Sequence, residues 1–266
     1  MVKTKKKNAT GFLYVLKRVT KIFINLGLKD HYIRFFSLIW WLYFKIKNNI
    51  KIVGKENVPK TGPYILAGNH SSGADALLLV AVFCGLLNKR FKYIADNRDF
   101  KKDNIQRYFH MLYGGQPKIG KGAQLVDWMV DQLNKGHILA IAPEGMYNKN
   151  GKIMKAYTGI TRVYHKINKL QKQPVPIIPL VSIGAHEAYP TSYEKDGSYR
   201  SKKSGIIGRF GKPIYLDNME ELNADILRDQ TDYIMERIAS LALQKEGPVD
   251  SWILAERDRS KKRYYK

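Results

Sequence analysis

His70 and Asp75, five residues apart, form the pair in this sequence best placed to move a proton. They lie in Gly68-Asn69-His70-Ser71-Ser72-Gly73-Ala74-Asp75, after a short β-prone run at 64–67 and before a strongly apolar stretch. Across a tight turn, the carboxylate can accept from one imidazole nitrogen and fix the tautomer. The other nitrogen can then take a proton from a hydroxyl. A plainer role also fits these residues. Ser72-Gly-Ala-Asp75 approximates a helix-capping box, with His70 as a satisfied loop residue. Ser71 and Ser72 are weaker candidates for a covalent nucleophile. A serine next to histidine in the chain is poorly placed to be activated by it, and no G-x-S-x-G elbow is present.

Three further segments carry residues of chemical interest. Pro143-Glu144-Gly145 follows another β-prone run and puts a carboxylate and an open amide at a strand end, where both can meet substrate hydroxyls. Taken alone, it is also an ordinary turn. Just beyond it come Gly151, Lys152 and Lys155, with Gly159 opening a helix. That is either a phosphate site or a solvated basic loop. The segment 114–122 combines glycines, which let backbone approach an anion, with Lys118 and Lys121, which can neutralise one. It lacks the Walker spacing, so an ATPase is not indicated. Val175-Pro176-Ile177-Ile178-Pro179 has prolines on both sides of two isoleucines, which suggests an edge strand or the wall of an apolar slot.

In this order and spacing, the four blocks resemble the glycerophospholipid acyltransferase family, typified by lysophosphatidate acyltransferases. The matching features are Asn69-His70-x4-Asp75, the glycine-containing 114–122 segment, Pro143-Glu144-Gly145 and Val175-Pro176-Ile177-Ile178-Pro179. The lead-in Val53-Gly54-Lys-Glu56-Asn57-Val-Pro59 and Gly62-Pro63 is also similar, so the resemblance covers roughly residues 50–215. It implies transfer of a fatty acyl group from acyl-CoA or acyl carrier protein to a glycerol hydroxyl, with 1-acylglycerol-3-phosphate as the first acceptor to consider. It implies no metal and no cofactor beyond that thioester co-substrate. His70 would be the general base and Asp75 its orienting partner. Asn69, Glu144 and Gly145 would help to position substrate, and Lys118 or Lys121 would meet the acceptor phosphate, with Lys155 a further candidate. Two departures bear on the acceptor. The family's PEG block usually continues Thr-Arg-Ser, whereas here it continues Met146-Tyr147-Asn148, and the second block lacks its usual arginine. Lysine cannot form the bidentate fork that arginine makes on phosphate. A different lysolipid or a glycosylated lipid hydroxyl is therefore also compatible. A non-catalytic membrane scaffold of the same fold is the alternative, against which the intact His70 and Asp75 argue.

These residues need a scaffold, and the pattern from residue 50 onward supplies one. Predicted strands at 50–53, 64–67, 91–95, 137–141, 175–181 and 205–210 alternate with predicted helices at 74–87, 105–112, 123–134, 158–170 and 220–244. Such alternation gives an α/β fold with a central, mostly parallel sheet flanked by helices, its chemistry in loops at the strand ends. Residues 49–255 are read as the acyltransferase domain. Before it, residues 12–28 and 31–47 read as an amphipathic helical hairpin behind a basic tail, and residues 256–266 form a basic C-terminal tail. The 74–87 helix is apolar enough either to line an acyl slot or to serve as a core helix.

Charge favours a membrane surface. The chain has 266 residues and a net charge of +23, of which residues 1–50 carry +10 and residues 256–266 carry +4. Cations beside aromatic and aliphatic runs suit an anionic bilayer, where each Lys or Arg near the surface contributes about 1 kcal/mol. The hairpin would lie in the interface, the plainer alternative being a helical cap packed on the main domain. The charge-free run 35–44 falls well short of the roughly 20 residues needed to cross a bilayer, so peripheral or monotopic attachment to a cytoplasmic membrane face is expected. RNA would also be attracted by the charge, but no RRM, KH or zinc-finger signature accompanies it, and nucleic acid is not the expected partner. The single cysteine, Cys84, excludes an internal disulfide framework.

Overall fold

A computed structural model of the chain describes residues 18–19, 22–23, 25–101, 105–120, 122–147, 151–190, 204–217 and 222–243. Both tails, most of the first hairpin helix, Lys121 and most of the 189–204 connection lie outside the described residues.

Helix α1 (Lys29–Asn48) leads into strand β1 (Lys51–Val53) and then β2 (Tyr64–Gly68). Helix α2 (Asp75–Val80) continues as a π-helical segment, Ala81–Leu86, into β3 (Phe91–Ala95). A 3-10 turn at Asn97–Phe100 leads towards α3 (Ile105–Leu112), followed by β4 (Gly115–Pro117), α4 (Ala123–Asn134) and β5 (Ile138–Ile141). Then come α5 (Gly159–Asn168), β6 (Ile177–Ile183), the short α6 (Ala185–Ala188), β7 (Ile207–Phe210) and α7 (Ala224–Leu243). The strands form one sheet in the order β1-β7-β6-β2-β5-β3-β4. Every ladder is parallel except β6 with β7. The expected α/β architecture is thus present, with β2 at its centre.

The sheet is covered on both faces because successive strand side chains alternate. On β2, Ile65 and Ala67 join a core with Leu133 of α4, Ile160 and Val163 of α5, and Ile238 of α7. Tyr64 and Leu66 face the other way, into a core with Ile33 and Phe44 of α1 and with Leu78 and Phe83 of the α2 segment. Burial on both sides explains why β2 reads as a continuous apolar run rather than as an alternating one.

Two sequence expectations need correction. The prolines of 175–179 do not mark an edge, because β6 lies between β7 and β2. Pro176 precedes the strand, and its carbonyl accepts from Ile65. Pro179 faces the bend after β7, where its carbonyl accepts from the Gly211 amide. A Cβ at Gly211 would stand 2.8 Å from the Pro179 ring, so the pair fits because residue 211 has no side chain. The second correction concerns the 114–122 loop. Gly115–Pro117 forms the edge strand β4, paired to β3. Gly114 and Gly115 serve close approach to the protein itself: a Cβ at Gly114, which has φ +90°, would meet the Phe91 carbonyl oxygen at 2.1 Å, and one at Gly115 the Tyr93 ring at 2.7 Å.

Helix α1 is apolar on two opposite sides. Ile33, Ser37, Phe44 and Asn48 are buried, whereas Phe35, Ile39, Leu42 and Ile46 are 61%, 46%, 55% and 84% exposed. At 100° per residue, the two sets fall on opposing stripes. The inner stripe lies so close to the π-helical segment that a Cβ at Gly85 would stand 2.6 Å from the Ser37 carbonyl oxygen. Gly85→Ala should therefore destabilise the protein by about 1–3 kcal/mol despite alanine's better helix propensity. Urea denaturation measures the change, and an unchanged or raised midpoint would show that α1 can retreat without cost.

Candidate active site

The informative loops gather at the C-terminal ends of β2, β3, β4 and β5, where parallel strands leave an open crevice. Here a cleft of about 1480 Å³ is lined by His70, Asp75, Lys118, Gly145 and Tyr147, among others. Its apolar wall includes Leu78, Leu79 and Val82 from the α2 segment, with Ile52 and Phe210. The 74–87 stretch lines this cleft on one side and packs into the core on the other, where Val80, Ala81 and Phe83 are buried.

His70 follows β2 directly. Its Nδ1 lies 2.9 Å from Asp75 Oδ2, and the same carboxylate oxygen accepts from the Ser72 amide at 2.9 Å. With Asp75 ionised, Nδ1 carries the proton and the Nε2 lone pair is available as a base. The two side chains are 24% and 14% exposed, so solvent and substrate can reach them while much of the pair is desolvated. Asp75 thus serves both readings of the sequence. It braces the turn ahead of α2 and orients the imidazole.

The neighbouring serines are committed elsewhere. Ser72 Oγ donates to the Tyr189 carbonyl and accepts from the Ala74 amide. Ser71 Oγ accepts from Asn69. Both residues are buried, which removes them as nucleophiles for a bulky thioester.

Two site residues are positioned differently from expectation. Glu144 does not present its carboxylate to substrate hydroxyls. It is buried, Oε1 accepts from the His70 amide at 2.9 Å, and Oε2 accepts from the Met154 amide at 2.8 Å. Asn69 borders the cleft, but its amide group is occupied by β6: Oδ1 accepts from Ser182 N at 2.9 Å and Nδ2 reaches the Ser182 carbonyl at 3.4 Å. Lys118 is exposed and lines the cleft. Lys155 is half-buried and is not among the lining residues. Lys121 lies outside the described residues.

The structure adds contacts that the sequence did not signal. The Tyr147 ring sits on the His70 ring, with centroids 3.9 Å apart and planes inclined at 38°. His186 Nδ1 lies 2.8 Å from the Ser71 carbonyl, tying α6 to the loop. Arg98 also lines the cleft, held by both carboxylate oxygens of Asp96. These partners are remote in sequence or sit in plain loops, so no spacing announces them. Among the described residues, no group of His, Cys, Asp and Glu is arranged to hold a metal ion.

Burial pushes the Glu144 carboxyl up to about 7, against the opposing effect of its two amide hydrogen bonds. The folded state therefore holds this proton more tightly than the unfolded chain. The stability it contributes is full below pH 4.5 and is lost as pH rises to about 7. Relative to Glu144→Gln, the wild type should lose about 3 kcal/mol over that window, at 1.36 kcal/mol per pH unit. Urea titrations of both proteins at several pH values check this; a constant gap would mean that Glu144 ionises as an ordinary carboxylate.

Comparison with known proteins bears on the family and the fold. Residues 49–183 match the Acyltransferase family. Among solved structures, the chain is similar to the 1-acyl-sn-glycerophosphate (LPA) acyltransferase PlsC from Thermotoga maritima, with a TM-score of 0.62 and 17% sequence identity over 93% of this chain and 100% of that one. That likeness establishes the shared fold. With the family match spanning just over half of the sequence, the chain belongs to the Acyltransferase family.

Proposed function

We propose that this acyltransferase moves a fatty acyl group from an acyl thioester, acyl-CoA or acyl carrier protein, to a hydroxyl of a glycerophospholipid precursor, with 1-acylglycerol-3-phosphate as the foremost acceptor. The observation that carries this reading is the His70–Asp75 hydrogen bond in the lining of the cleft. Nε2 of His70 takes the acceptor hydroxyl proton as that oxygen attacks the thioester carbonyl. Asp75 holds the ring and stabilises the imidazolium that forms. The C–S bond then breaks, and the departing thiolate takes the proton back from His70. Glu144 acts behind the site by fixing the His70 backbone. Lys118, which lines the same cleft, would meet the acceptor phosphate, and the apolar α2 wall gives an acyl chain somewhere to lie. The Thermotoga protein of similar fold is described as an acyltransferase acting on 1-acyl-sn-glycerophosphate, which supports this choice of acceptor.

The site needs access to lipid, and the outward stripe of α1 would supply it. Among the described residues, no helix is long and apolar enough to cross a membrane. Phe35, Ile39, Leu42 and Ile46 would instead seat the protein on the cytoplasmic face of an anionic bilayer, with Arg34, Lys45 and Lys47 near the headgroups. Because α1 shares the catalytic core, deleting residues 1–48 would damage the fold, and the stripe itself must be altered.

Two outcomes are expected. His70→Ala should reduce acceptor-dependent thiol release from a long-chain acyl-CoA by about 10²- to 10⁴-fold; undiminished turnover removes His70 as the base. Ile39→Glu combined with Leu42→Glu should abolish most cosedimentation with anionic liposomes while leaving the melting profile near wild type. Equal cosedimentation would remove α1 from the membrane contact.

A further inference from the structure

Tyr147 lies directly on the ring that the chemistry depends on. Nδ1 of His70 is engaged by Asp75, and one ring face lies against the phenol, with the two ring centroids 3.9 Å apart. The loop that carries Tyr147 also carries Glu144, whose carboxylate holds the His70 amide. One loop therefore grips His70 twice, at its backbone and over its ring. The turn at Gly145 (φ +71°) lets residues 144 and 147 approach from different sides. Its amide bonds to the Ala142 carbonyl at 3.0 Å, and the Tyr157 amide bonds to the Pro143 carbonyl at 2.9 Å. A Cβ at Gly145 would meet the Tyr157 ring at 2.9 Å, so the loop is braced from behind. Tyr147 itself is 46% exposed, and its outer face opens onto the cleft.

We propose that Tyr147 is a positioning residue that narrows the access of water to His70, one face of which it covers, and so sets how an acyl group partitions between lipid acceptor and water. The proposal rests on the acyl-transfer reading above. A base that activates one hydroxyl can also activate another, and water is the most abundant competitor. In the side reaction, His70 Nε2 takes a proton from water and the water oxygen bonds to the acyl carbon. The C–S bond breaks and the thiolate is protonated from the imidazolium, giving fatty acid and free thiol. An aromatic ring covers a large area at low entropic cost, because it has only two side-chain torsions to fix. Excluding water from the reacting groups is a recognised means of suppressing such leakage. An incoming lipid can make contact along the exposed outer face of Tyr147, which lines the cleft.

The test compares wild type, Tyr147→Ala, Tyr147→Leu and Tyr147→Phe with oleoyl-CoA, with and without oleoyl-glycerol phosphate. Thiol, free fatty acid and lipid product are each quantified, and fold integrity is checked by thermal melting. In Tyr147→Ala, acceptor-independent thiol release and the ratio of fatty acid to lipid product should both rise by about tenfold, whereas Tyr147→Phe should stay within about twofold of wild type. Tyr147→Leu should fall between them, and it provides the comparison if the alanine variant does not fold. Unchanged hydrolysis in a folded alanine or leucine variant overturns the shield. A wild type that makes no lipid product with any lysolipid overturns the acyl-transfer reading instead, and the two failures are thereby distinct.

Discussion

A buried carboxylate helps to hold the His70 loop to the rest of the sheet. Glu144 spans the space between the loops after β2 and β5 and accepts one hydrogen bond from the amide of His70 and one from Met154. Its burial is costly, and the two amide bonds offset only part of that cost, as the raised carboxyl pKa shows. What the fold gains is registry. Asp75 can aim the imidazole only if the backbone carrying it is fixed, and Glu144 fixes that backbone from the loop after the adjacent strand β5.

The scaffold converts this local arrangement into an open site with two kinds of surroundings. On one side, parallel strand ends deliver polar groups, including Asp96, Arg98 and Lys118, to a shared rim. On the other, the α2 segment and the nearby sheet supply an apolar wall. Helix α1 packs against that wall through a contact allowed by the missing side chain of Gly85 and turns a second apolar stripe outward. In the proposed function, lipid-facing and reacting surfaces are thus parts of one rigid unit rather than separate modules joined by a linker.

Much of this was legible in the sequence, for reasons that differ by residue. Alternating short apolar runs and helical periods marked β2, β3, β5 and the helices between them, because burial on both sheet faces leaves a strong local pattern. His70 and Asp75 could be paired because they are close in the chain, and a tight turn can join them whatever the rest does. The function of Glu144 could not be read, since its partners are amides 74 and 10 residues away, and a backbone amide leaves no trace in residue identity. Pro179 misled because proline usually avoids interior strands; only the bend at Gly211 explains why it fits. Strand β4 was hidden because three residues rich in glycine and proline carry no strand signal, and its pairing to β3 is imposed by tertiary contact. Tyr147 was visible only as a departure from the family pattern, not as the ring that lies over His70.

The side chain of Asn69 has one further consequence. Its oxygen and nitrogen meet the amide and carbonyl of Ser182, so it imitates a peptide group just where β2 stops. The main chain is thereby released to turn, and the neighbouring N–H is left for another acceptor. Aspartate would offer two acceptors and no donor, and glutamine would overshoot by a methylene. The asparagine preceding the histidine is therefore stereochemical joinery: it lets a sheet end and the His70 loop begin within a single residue.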